Sequence, residues 1–405
     1  MSIAIYHLTS TLHQEEQVEQ STREFLSSLH QEFVLCGDDY SSYGSHSLDL
    51  IYVRTGGTEG IFRSLLPSLV QSVDDTFYLL TSGKSNSLAA AMEILSFLLQ
   101  NGYHGEIIHG SPAYISDRIK LLAKVGEARR LLNGCRLGII GEPSDWLISS
   151  RYDVSEVSRR LGIDLLNVPM EELLKEIAVA ETQQTKSLTE DYETNITQVR
   201  ESLPVALQVY EALRALVGRH SLQGFTLRCF DLLTAVQNTG CLALAKLNAG
   251  GIVAGCEGDV PAMLSMIIGR ALTGMSGFQA NPAHIDPETG EVLFAHCTIP
   301  FDMLERFELD THFESGIGVG IRGYVKEGPV TVFKVSGDLT RYYVEEGELL
   351  RCQAAPGLCR TQMLLRLPQT DYFLTNPIGN HHIIFLGHHR AVFDEMLKGF
   401  SERVR

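Results

Sequence analysis

The chain has 405 residues, too many for one ordinary core, so two or three domains are expected. With 44% hydrophobic and 20% charged residues it reads as globular, neither disordered nor fibrous. A net charge of −16 argues against nucleic acid and anionic membranes as partners, and no window approaches the ~20 apolar residues of a membrane span.

The opening residues, MSIAIYHLTSTLHQEEQ, carry neither a basic flank nor a small-residue cleavage site. No signal peptide is expected, and the expected compartment is cytoplasmic. Residues 1–133 form the first expected domain. There SIAIYHL (2–8), LDLIYVRT (48–55) and DTFYLLTSG (75–83) each end in a Gly/Ser/Thr loop. NSLAAAMEILSFLLQNG (86–102) follows as an apolar helix that Ser85 or Asn86 can cap. Strand, polar turn and helix in succession predict parallel βαβ units.

Residues 134–273 form the second. CRLGIIGEPSDWLI (135–148) reads as strand, turn and helix start, and DVSEVSRRLGIDLLNVP (153–169) as helix and strand. The polar stretch 180–200 is weakly patterned and reads as a mobile helix pair or loop. Leu203, Leu207, Tyr210, Leu213 and Val217 then restore a helical stripe. FTLRCFDLL (225–233) and GIVAGCEGDVP (251–261) read as buried strands ending in acids, which fits a second doubly wound sheet with ligands beyond its carboxyl edge.

Residues 274–405 change character. VLFAHCTIP (292–300), VGIRGYV (319–325), PVTVFKVSG (329–337) and RYYVEEGELL (341–350) predict an antiparallel sheet or barrel, closed by a helix at 389–404.

The glycine loops at 54–62, 81–87 and 139–145 suit phosphate or a sugar hydroxyl, but none matches a dinucleotide or triphosphate fingerprint, so NAD and ATP are not expected. The eight cysteines form no C-x-x-C pair and read mostly as small buried hydrophobes. In GCEGDVP, Glu257 and Asp259 either bind a hard cation and move protons or cap the helix that follows. His381 and His382 precede a strand, and adjacent residues on an extended chain face opposite ways, so at most one reaches a given pocket. His296 closes the apolar face of Val292 and Phe294, as a core histidine or as a ligand. Asp286, in DPETG, reads as a plain turn.

Glu257 in CEGDV, the hairpin FQANPAHID…VLFAHC, THFESGIGVGI (311–321) and NHHIIFLG (380–387) together resemble the L-fucose/L-arabinose isomerase family, most clearly over residues 225–390. The resemblance implies an α/β protein: two Rossmann-like doubly wound domains followed by an antiparallel β-barrel-like C-terminal domain. It implies aldose–ketose isomerisation through an ene-diol at a divalent metal, usually manganese. By the same resemblance the metal ligands are Glu257, Asn281, His296 and His382, with His381 as the alternative to His382, and Glu257 and Asn281 hold the catalytic positions. Substrate contacts fall at Gly56, Gly57, Gly83 and His381, the glycines often from a neighbouring subunit. A small-molecule sugar and a homo-oligomer, trimeric or hexameric, complete the implication. Asn281 stands where the family has a second carboxylate, and an amide cannot titrate near neutrality. A rival reading follows: a non-catalytic or altered-chemistry carbohydrate-binding or regulatory protein of the same fold.

Overall fold

A computed structural model of the chain describes residues 1–70, 76–180 and 192–404. It divides into two compact units, Met1–Arg130 and Leu131–Arg405. Residues 181–191, most of the polar stretch singled out above, lie outside the described residues.

In the first unit, strands β1 (Ile3–Leu8), β2 (Val34–Gly37), β3 (Leu48–Val53), β4 (Thr76–Leu80) and β5 (His104–Ile108) are parallel, in the order 2-1-3-4-5. Helices α1 (Glu15–Ser28), α2 (Glu59–Leu69), α3 (Ser87–Gln100) and α4 (Pro112–Leu132) supply the covering layers. Leu50 and Tyr52 enter one apolar layer with Leu26, Ile115 and Ile119, whereas Ile51 and Val53 enter another with Phe62, Leu66 and Ile94. Both faces are buried, which is why these strands read as unbroken apolar runs. The expected cap at Asn86 is absent: Asn86 takes a left-handed φ of 59° and its side chain makes no cap bond, because a short 3-10 turn at Lys84–Asn86 leads into α3.

The second unit holds a four-stranded parallel sheet of β6 (Arg136–Ile140), β7 (Asp164–Val168), β8 (Gly224–Leu227) and β9 (Val253–Cys256), ordered 7-6-8-9. Its helices are α5 (Val154–Leu161), α6 (Met170–Val179), α7 (Thr197–His220), α8 (Asp231–Ala235), α9 (Cys241–Ala249) and α10 (Val260–Thr273). The expected strand at 225–233 stops at Leu227, where Arg228 turns to bond Asp145 and Asp231 and helix α8 begins.

The barrel follows. Strands β10 (Phe278–Asp286), β11 (Glu291–His296), β14 (Gly328–Val335), β15 (Arg341–Gln353), β16 (Thr361–Arg366) and β17 (His382–Leu386) close in the cyclic order 14-17-10-11-16-15. Strands β12 (Arg306–Asp310) and β13 (Gly320–Tyr324) pair apart from it, so VGIRGYV forms a side hairpin rather than a barrel stave. Phe278, Val292, Phe294, Val332, Met363 and Ile384 fill one continuous core. Leu203 and Leu207 of α7 join that core, while Leu213 and Val217 of the same helix join the core of the parallel sheet. One helix therefore ties the two layers together. Helix α10, apolar nearly all round, is buried as such a helix must be. Its Gly269 is required: a Cβ there would lie 2.0 Å from Phe385 Cζ.

The closing helix, expected over 389–404, spans only α12 (Arg390–Leu397), after a short α11 (Asp371–Thr375). Gly399 takes φ 92° and turns the chain into β18 (Glu402–Arg403), which pairs in parallel with Arg341 and Tyr342.

Candidate metal centre

Strand β9 ends at Cys256, and the next two residues, Glu257 (φ 64°) and Gly258 (φ 70°), are both left-handed. That pair swings the chain back to Asp259, whose Oδ1 caps α10 by accepting from Ala262 N at 2.8 Å. Glycine is needed at 258, because a Cβ would sit 2.7 Å from the Glu142 carbonyl and 2.8 Å from Pro143 Cα. Ser144 N donates to the Glu257 carbonyl at 3.0 Å, fixing the loop against the turn. Gln279 of β10 accepts from Cys256 N at 2.8 Å, so the barrel is pinned to the end of β9. A glutamate held in this conformation stores about 1–3 kcal/mol of backbone strain, which persists only where its surroundings over-determine it.

Three strand ends meet here. His296, the last residue of β11, brings Nε2 to 3.6 Å from Glu257 Oε1. His381, immediately before β17, brings Nε2 to 3.3 Å from the same oxygen. Trp146 Nε1 donates to the other oxygen, Oε2, at 2.6 Å. One ligand atom from each of Glu257, His296 and His381 lies within 4.8 Å of the others, and all three residues are buried. His381 Nδ1 donates to Asp259 Oδ2 at 2.8 Å, and His296 Nδ1 meets Thr298 Oγ1 at 2.9 Å. Each imidazole is therefore anchored through Nδ1 and presents Nε2.

A cavity of about 50 Å³ adjoins the cluster, lined by Glu257, Asn281 and His296 together with His312 and Glu314. Asn281 Oδ1, on the cavity, and His381 Nε2, in the cluster, are buried without a hydrogen-bond partner. Buried polar atoms are rarely left so, and an ion at the cluster would give His381 Nε2 its missing partner. The donor set of one carboxylate and two imidazoles suits a divalent ion of the manganese, iron or zinc kind, and separations of 3.3 and 3.6 Å suit neighbours on one ion with bonds of about 2.1 Å. The residues present fit a metal.

Protonation follows the same geometry. Burial pushes the Glu257 carboxyl up, but the imidazoles of His296 and His381 outweigh it and hold the group well below the usual carboxylate range. Burial likewise opposes ionisation of Asp259, yet Lys334, with Nζ at 3.5 Å, and His381 bring it down to about 2. For His381, burial favours the neutral ring, but Asp259 and Glu257 raise it to about 9. Burial wins at His296, which is lowered despite Glu257, and at His312, lowered to about 4.

The other expected site residues fall as follows. His382, expected as the fourth ligand, lies outside the cluster. Its Nε2 bonds Tyr372 OH at 2.9 Å, its Nδ1 meets the Asn380 carbonyl at 3.1 Å, and Phe294, Tyr343 and Phe373 surround the ring. Ala280 of β10 is its register partner, so it shares the barrel's inner face with Ala280, and it is the neighbouring His381, expected as a substrate contact or as the alternative ligand, that joins Glu257 and His296. Asp286 accepts from Glu288 N and Thr289 N in a turn. Gly56, Gly57 and Gly83 belong to the first unit, where Gly57 (φ 75°) and Gly83 (φ 78°) serve left-handed turns. Trp146, Asp259 as a partner of histidine, Lys334 and His312 were not singled out for these roles. Trp146 alone had a visible signal, being the sole tryptophan and next to a Gly/Pro turn. Cys229, Cys241, Cys256, Cys297 and Cys359 all line the cavity, with Cys229 Sγ and Cys256 Sγ 3.0 Å apart.

No family model matches the chain. Among curated proteins it is similar to the sulfoquinovose isomerase of Alkalicoccus urumqiensis, 25% identical over 287 residues that cover 65% of this chain and 63% of that protein. The sulfoquinovose isomerase of Priestia megaterium is 24% identical over 262 residues, 62% of this chain and 59% of its own. That of a Clostridium species is 25% identical over 225 residues, 54% and 49% respectively. These matches span less than two thirds of the relatives' length. No helix among the described residues is long and apolar enough to cross a membrane.

Proposed function

We propose that this protein is a metal-dependent aldose–ketose isomerase of the L-fucose/L-arabinose isomerase type, moving a proton along an open-chain sugar through an ene-diol. The observation that carries the reading is the convergence of Glu257, His296 and His381 within 4.8 Å at a cavity where Asn281 Oδ1 has no partner. The similarity to sulfoquinovose isomerases supports the same reaction class and makes sulfoquinovose the first sugar to test. Glu257, His296 and His381 would hold the ion, with Asn281 as an oxygen donor. A divalent cation, manganese in this reading, would polarise the sugar carbonyl and stabilise the developing oxyanion.

Glu257 is the proton carrier at the reacting carbons: Trp146 fixes Oε2, so the carboxylate cannot rotate away as it takes and returns the proton. Asn281 cannot share that work, because an amide has no titratable proton near neutrality. Asp259 cannot either, since it is fully buried with both oxygens bonded to Ala262 and His381. We assign the hydroxyl proton to His312, kept neutral by burial and facing the cavity beside Glu314. The reading extends to a cytoplasmic homo-oligomer, trimeric or hexameric, in which Gly56, Gly57 and Gly83 of a neighbouring subunit would meet the far end of the sugar.

The test is direct. Manganese-loaded protein is incubated in D2O with sulfoquinovose and a panel of aldoses, and NMR follows ketose formation and deuterium uptake at the transferred position. Ketose carrying deuterium is expected, and turnover is lost in Glu257→Gln. Asn281 favours a second reading, a sugar-binding protein without proton chemistry; sugar binding with neither ketose nor deuterium exchange establishes it instead.

A further inference from the structure

We propose that Asp259 is a positioning residue that dictates which nitrogen of His381 carries the proton, and that helix α10 gives it the fixed orientation needed to do so. The inference rests on reading the cluster as a metal centre, and it concerns how one ligand is kept ready.

Asp259 is fully buried, and its two oxygens have separate tasks. Oδ1 accepts from Ala262 N at 2.8 Å as the cap of α10. Oδ2 accepts from His381 Nδ1 at 2.8 Å, with Lys334 Nζ at 3.5 Å on the same oxygen. Lys334 is itself 1% exposed and makes no hydrogen bond elsewhere, so this oxygen faces donors only. A carboxylate in that place can only accept, which confines the neutral ring's proton to Nδ1. Nε2, 3.3 Å from Glu257 Oε1 and without a hydrogen bond, is then left as a lone pair aimed at the ion position.

The cap is what makes the arrangement one-way. If Asp259 were an asparagine, its carbonyl oxygen would stay on Ala262 N, because an NH2 group there would face another N–H. The NH2 would then occupy the place of Oδ2, donating to His381 Nδ1 and facing the Lys334 ammonium. His381 would have to accept at Nδ1 and carry its proton on Nε2, where no lone pair remains for a metal. Asparagine caps helices as well as aspartate does, so the exchange leaves the fold of α10 its capping bond and alters the ligand alone.

The experiment compares wild type with Asp259→Asn. Manganese affinity is measured by calorimetry, metal-free stability by thermal melting with chelator, and the His381 tautomer by 15N NMR of metal-free protein at alkaline pH. Expected are a loss of affinity of about 10–100-fold, the size seen when an outer-shell partner of a metal ligand is changed, a melting temperature near that of wild type, and a shift of the His381 proton from Nδ1 to Nε2. Equal manganese affinity in two proteins that both bind the ion overturns the proposal, and so does an Nε2–H tautomer in wild type, a measurement that needs no variant to fold. A wild type that binds no divalent ion but shows the tautomer shift upholds the positioning role while removing the metal reading.

Discussion

His381 and His382 are one residue apart, and the barrel wall separates their worlds. Outside, His381 lies between two carboxylates that hold its proton up to about 9. Inside, His382 sits among aromatic rings, where burial and then the positive charge of Lys334 drive it down to about 3, with Tyr372 and the Asn380 carbonyl as its polar partners. Burial is complete at both positions, so desolvation does not distinguish them. The difference is the company each keeps, and that company is set by strand alternation. Side-chain chemistry proposes a ligand; the register of a strand chooses it.

The comparison breaks most visibly at the metal. His381→Ala is expected to lower manganese affinity by more than the 10–100-fold typical of an outer-shell change, whereas His382→Phe leaves it within about twofold; equilibrium dialysis with elemental analysis decides. His382→Phe instead costs about 1–3 kcal/mol of stability by leaving the Tyr372 hydroxyl proton without an acceptor while its oxygen still accepts from Ile378 N, read by chemical denaturation.

Acid and alkali should separate the pair next. His381 is raised above its unfolded value of 6.5, so its contribution to metal-free stability is complete below pH 6.5 and is lost as pH rises through about 9. His382 is depressed, so its contribution is complete above pH 6.5 and is lost as pH falls through about 3, a limb to which Asp259, lowered to about 2, also contributes. Melting curves against pH should therefore lose their alkaline limb in His381→Ala and have a shallower acid limb in His382→Phe. Because His381 must shed its proton to bind an ion, manganese affinity should also climb with pH up to about 9.

The smallest effect belongs to Trp146. It is the sole tryptophan and donates to Glu257 Oε2 at 2.6 Å, so its fluorescence should change on metal titration, and Trp146→Phe should weaken binding only several-fold. An emission spectrum indifferent to manganese would place the ion elsewhere.

Much of the architecture was legible because local periodicity writes it: apolar runs for strands buried on both faces, alternation for the barrel, a 3.6 stripe for α7. Its ends were less so. Gly399 in LKGFS is a helix stop that the apolar stripe of 389–404 masks. At the site, Glu257 and His296 were visible as polar residues closing apolar strands. Which histidine of the pair faces them depends on Ala280 pairing with His382 across a hundred residues, and no local pattern encodes that. Lys334 looked like one more polar residue in PVTVFKVSG, and Trp146 lies 111 positions from the carboxylate it holds. Turns and strands are short-range facts; a shared carboxylate is a long-range one.

The thiol lining of the cavity has a practical outcome. Oxygen and imidazole donors share one small chamber with five sulfurs, two of them almost touching. Soft ions such as copper, and zinc after them, outrank manganese in intrinsic affinity for nitrogen and sulfur donors. If the cluster holds an ion as proposed, the one recovered with purified protein will report the growth medium as much as the site's own preference, and manganese-supplemented culture under reductant is the preparation in which manganese can compete.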